Sequence, residues 1–115
     1  MITSRKLAKL IAEFASDKKA TDIVVLDMRK VANFCDYFVL CSGNSDRHVK
    51  AIIEGIKENV EHLGIHIPRA EGGKDARWML LDLGDVIVHA FEKQSREFYG
   101  LEYLWQSAKA VNWKK

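Results

Sequence analysis

Two cysteines and a single proline are all that this 115-residue chain carries of either type. Cys35 and Cys41 lack CxxC spacing and have no nearby Cys or His pair to complete a metal tetrahedron, so both read as reduced thiols, with Cys41 buried. No run approaches the roughly 18 consecutive apolar residues that a bilayer span requires, and Met1 to Lys9 lacks the apolar stretch of a signal peptide. The expectation is a cytosolic chain with no membrane partner. The excess of one sign of charge over the other is also small. A net charge of +2 lacks the dense Lys/Arg patches that nucleic-acid binding uses, so no direct sequence-specific nucleic-acid binding is expected. No repeat, low-complexity tract or linker interrupts the chain.

What is present supports one packed globule. Hydrophobic residues make up 48% and charged residues 30%, and the length suits one core. Leu7, Leu10, Ile11 and Phe14 recur at helical spacing, with Thr3 or Ser4 available as a cap. Ile23–Leu26 and Tyr37–Cys41 read as interior strands. Val49, Ile52, Ile53, Ile56, Val60 and Leu63 form a helical stripe that Gly64 stops. A short strand is expected over Ile65 to Pro68, a flexible loop over Glu71 to Asp75, and one or two short helices over Lys93 to Trp105. The resulting order, α, β, β, α, β, β, β, α, predicts an α/β fold, a mixed sheet with helices packed on it.

Trp78–Asp82 and Val86–Phe91 are two strand-like runs close enough to form a hairpin. With Leu83 and Gly84 as the loop, Trp78 faces His89, Leu80 faces Ile87 and Asp82 faces Asp85 on one side. Met79, Leu81, Val86 and Val88 line the aliphatic side. The first face mixes an indole, aliphatics, an imidazole and carboxylates, a composition suited to a protein interface. The alternative is that Trp78 and Leu80 lie beneath the final helix. From Arg69 to Glu102, Glu71, Asp75, Asp82, Asp85, Glu92, Glu97 and Glu102 outnumber Arg69, Lys74, Arg77, Lys93 and Arg96, which favours a basic partner.

Catalytic and cofactor chemistry is not legible. Asp82-Leu83-Gly84-Asp85 reads as a turn before it reads as a metal-binding pair. Ser42-Gly43-Asn44-Ser45 matches neither a P-loop nor GxGxxG and reads as a helix cap. His62 and His66 are spaced i, i+4 but are separated by Gly64 and lack the Glu of HExxH. His48 and His89 have no evident nucleophile partner. No catalytic residue, metal or cofactor is expected.

Three ordered motifs carry a resemblance. They are Asp36-Tyr37-Phe38-Val39-Leu40-Cys41-Ser42-Gly43-Asn44-Ser45-Asp46-Arg47-His48-Val49; Glu71-Gly72 followed by residues 76–91; and Arg96-Glu97-Phe98-Tyr99-Gly100-Leu101-Glu102-Tyr103-Leu104-Trp105. Together they resemble the ribosomal silencing factor (RsfS/Iojap) family over nearly all of residues 3–105. The resemblance implies one domain over 1–105 followed by a tail, 106–115, and a nucleotidyltransferase-like fold without that activity. It implies binding to the fourteenth protein of the large ribosomal subunit, a block on subunit joining, lowered translation, and a homodimer when free. Carried over, the partner-binding residues are Trp78, Met79, Leu80, Asp82, Asp85, Ile87 and His89. The rival is a nucleotide- or RNA-modifying enzyme of the same fold, using Ser42-Gly43 for phosphate and Asp82 or Asp85 for magnesium.

Overall fold

The computed structural model describes residues 2–67, 70–72, 77–94 and 108–114. Helix α1 spans Ser4–Asp17, and the Thr3 hydroxyl accepts the Lys6 amide at 3.2 Å to cap it. Its buried face is Leu7, Ala8, Ile11, Ala12 and Ala15, rotated from the expected stripe so that Leu10 and Phe14 are only half-buried. Alanines on the inner face let the helix approach its neighbours closely, which a leucine-only reading of the periodicity overlooks.

Strand β1 (Thr21–Asp27) pairs antiparallel with β2 (Tyr37–Gly43). All of β2 is buried, as its unbroken apolar run requires of a strand covered on both sides. Helix α2 (Asp46–His62) follows, buries Val49, Ile52, Ile53, Ile56 and Val60, and ends before Gly64 at φ +83°. Leu63, expected in the stripe, is instead the C-cap residue and 40% exposed, because the helix has ended there. The Ser45 hydroxyl accepts the His48 amide at 3.1 Å. Ser45→Ala is expected to cost about 1 kcal/mol, a typical N-cap loss, read as a lower midpoint in urea unfolding.

Strands β3 (Ala70–Gly72), β4 (Trp78–Asp82), β5 (Val86–Glu92) and β6 (Lys109–Val111) complete a six-stranded sheet of order β3-β4-β5-β2-β1-β6. Among the described residues only β2 and β5 pair in parallel; their connection passes through α2, the crossover that parallel neighbours need. The sheet is therefore mixed, as expected. Three placements differ from expectation. Residues 65–67 form no strand, although Ile67 is buried, and the strand after α2 lies at Ala70–Gly72, overlapping the start of the predicted loop. Pro68, the rest of that loop (73–75) and residues 95–107 lie outside the described residues, and with them the third motif. Lys109–Val111, expected as tail, pairs with β1, and the Trp113 indole donates to the Ile23 carbonyl at 3.4 Å.

The two helices cover one sheet face, where Val25, Tyr37, Val39, Cys41, Leu81, Val86, Val88 and Ala90 join the main core. On the opposite face Leu26, Phe38, Leu40, Ile87 and Phe91 form a second cluster with Met28 and Cys35 from the β1–β2 connection. That connection is pinned at its start: Asp27 accepts from Arg29 Nη2 at 2.7 Å and Nε at 3.0 Å, and the guanidinium beside it holds the Asp27 carboxyl down at about 2.

Candidate docking face

The β4–β5 turn sets the geometry. The Leu83 amide donates to the Val86 carbonyl at 3.0 Å, Gly84 adopts φ +87°, and the Gly84 amide donates to Asp82 Oδ1 at 2.8 Å. The two central residues are thus Gly84 and Asp85, not Leu83 and Gly84. A glycine takes the left-handed position without strain, and the Asp82 carboxylate caps the turn. Each β5 partner moves by two residues, so Leu80 pairs with His89, Trp78 with Phe91 and Asp82 with Ile87. Because side chains alternate with a period of two, this slip leaves every residue that remains in a strand on its predicted side.

Solvent access divides the predicted residues further. Trp78 and Leu80 are half-buried, while Asp82 and Asp85 are exposed. Ile87 at 9% and His89 at 5% exposure are buried, so they form the floor of the face rather than its surface. Met79 lies on the opposite side, packed against the main core beneath the helices, and does not belong with the others. Asp85 does not face Asp82; it sits in the turn, where its carbonyl accepts the amides of Asp36 at 2.7 Å and Tyr37 at 3.1 Å. Whether the final helix overlies Trp78 and Leu80 concerns residues outside those described.

The floor is an aromatic array. His89 lies 4.7 Å from Phe38 edge-on, while Trp78 stacks at 5.5 Å on Phe91 and at 5.9 Å on His89. The Trp78 indole donates to His89 Nδ1 at 3.2 Å. Burial among these rings pulls the His89 pKa from 6.5 down to about 4, since a charged imidazolium is poorly solvated there.

Carboxylates gather at the turn end. Burial pushes the Cys35 thiol up to about 11, and the charges of Asp36, Asp82 and Asp85 add to that rise, which puts all three within electrostatic reach of one buried sulfur. Asp36 carries no assigned role in the sequence reading; its place beside Asp85 follows from the parallel pairing of Tyr37 with Val86, a long-range register that local patterns do not contain. Among the described residues no group of three or more His, Cys, Asp or Glu side chains is placed to hold a metal ion. The candidate phosphate loop is also committed elsewhere. The Asn44 amide donates to His48 Nδ1 at 2.8 Å, His48 Nε2 lies 2.8 Å from the Lys18 carbonyl, and the His48 amide is taken by Ser45.

Fold and face together define a small mixed α/β domain in which one side of the sheet sets aromatic rings beside exposed carboxylates, and among the described residues no metal-ligand cluster is assembled. The family model described as ribosomal silencing factor during starvation matches residues 1–115. The ribosomal silencing factor RsfS of Bacillus subtilis is 44% identical over 107 residues, 93% of this chain and 91% of that one. The chain belongs to the ribosomal silencing factor family. A crystal structure of a Chromobacterium violaceum protein superposes with a TM-score of 0.88 at 32% identity, covering 99% of this chain and 98% of that one. The maize chloroplastic protein Iojap is 34% identical over 88% of this chain, which spans 44% of that protein. Members of the family are named as silencing factors, not as enzymes. No helix among the described residues is long and apolar enough to cross a membrane.

Proposed function

We propose that the chain silences translation by docking on the large ribosomal subunit through Trp78, Leu80, Asp82 and Asp85. In this reading the partner is the Lys/Arg-rich fourteenth protein of that subunit, and the bound domain excludes the small subunit by its volume. The observation that carries the proposal is the row Trp78, Leu80, Asp82 along one side of β4, indole and aliphatic next to an exposed carboxylate. Apolar anchors supply affinity and carboxylates steer a cationic surface. The cytoplasm is the compartment, and self-association as a homodimer covers the apolar part when no subunit is bound. Kinship with nucleotidyltransferases belongs to the same reading; the mixed sheet with α1 and α2 packed on it is compatible with it.

The test is subunit joining. Preincubating large subunits with the protein is expected to lower the joined-ribosome peak on a sucrose gradient when small subunits are added; an unchanged peak overturns the proposal. The rival enzyme is disfavoured by the Asn44 and His48 amides, which already have acceptors. Calorimetric titration with ATP and magnesium is accordingly expected to give no binding heat.

A further inference from the structure

We infer that His89 is the positioning residue of the docking face, holding the Trp78 indole in one orientation by accepting its N–H, so that the neutral side chain with its proton on Nε2 is the form competent to bind. The inference rests on the docking proposal above and deepens it. An indole nitrogen only donates, so His89 Nδ1, 3.2 Å away, accepts, and the ring's own proton resides on Nε2. That Nε2 is buried and has no hydrogen-bond partner among the described residues.

An unsatisfied buried donor weakens a fold, and such an atom calls for an explanation. Packing does not provide one. His89 sits between Phe38 at 4.7 Å, Trp78 at 5.9 Å and Phe91 at 6.2 Å, an aromatic setting suited to a phenyl ring, which has no Nε2 donor to satisfy. What phenylalanine lacks is the Nδ1 acceptor. The cross-strand pairing adds the geometric reason: Leu80 is directly opposite His89, and Trp78 is opposite Phe91, so the indole reaches His89 on the diagonal, where the hydrogen bond adds a direction that its stacking on Phe91 does not supply. A large aromatic anchor fixed before contact loses less freedom on binding, which strengthens the complex.

The test compares His89→Phe, His89→Asn and Trp78→Ala at pH 7. His89→Phe is expected to unfold at the same temperature as the parent or higher, while the Trp78 indole proton, identified in NMR spectra by its loss in Trp78→Ala, exchanges with solvent at least ~10-fold faster. Its affinity for purified large subunits is expected to fall severalfold. His89→Asn, whose side-chain oxygen replaces Nδ1, is expected to recover slow exchange and part of the affinity. Should His89→Phe fail to fold, His89→Leu against His89→Asn makes the same comparison. If Trp78→Ala binds weakly but the variant without an acceptor binds and exchanges like the parent, the inference falls and the docking proposal stands. If Trp78→Ala binds like the parent, both fall.

Discussion

Lowering the pH from 7 to 4 is expected to destabilise the folded chain by about 3 kcal/mol through His89 alone. The fall in its pKa from 6.5 to about 4 sets both the size and the window, at about 1.4 kcal/mol for each factor of ten. Above pH 6.5 the side chain is neutral in both states and its contribution is fully present. Between 6.5 and 4 the unfolded chain takes up a proton that the folded one refuses, so stability falls as pH falls. Below about 4 both states are protonated and this loss stops growing. The Asp27 carboxyl, held at about 2 by Arg29, loses its partner interaction only in more acid solution and lies on the surface. Urea midpoints measured at intervals from pH 7 to 4 check this: the parent is expected to slope steeply and His89→Phe to lose most of that slope. Equal slopes would remove His89 as the cause.

The second large effect concerns affinity. Trp78→Ala combined with Asp82→Lys is expected to weaken large-subunit binding by about 2–4 kcal/mol, the range in which a central aromatic anchor and a reversed charge act together. Asp82 has a second task, since its Oδ1 caps the turn by accepting the Gly84 amide at 2.8 Å. Asp82→Asn keeps that acceptor and removes the charge. Pelleting labelled protein with large subunits at low and moderate salt separates the two. Asp82→Asn is expected to bind less well mainly at low salt, where charge steering is strong, while folding as the parent does.

Much of this architecture is local enough to read from the chain. The α2 stripe is long and regular, β2 is an unbroken apolar run between clear breakers, and the two faces of the β4–β5 hairpin survive an error in its turn because the slip is a whole side-chain period. The remainder depends on partners far away in sequence. Lys109–Val111 becomes a strand by pairing with β1, which three residues of weak strand preference do not announce. Ile87 is buried with Met28 and Cys35 from a connection without periodicity, and His89 is closed in by Phe38 from a strand far away in sequence. The proximity of Asp36 to Asp85, and the orphaned Nε2 of His89, appear only when strands and side chains are set in space. Met79 is a different case. The hairpin alternation puts it on the aliphatic side, whereas the family resemblance takes in the whole strand, Met79 to Asp82.

Which surface meets the ribosome is the central claim, and hydroxyl-radical footprinting reads it directly. Oxidation of Trp78 and Leu80 is expected to slow markedly when large subunits are added, while Leu63, exposed at the far end of α2, oxidises at its original rate. Unchanged oxidation of Trp78 together with protection of Leu63 or Trp113 would contradict the account.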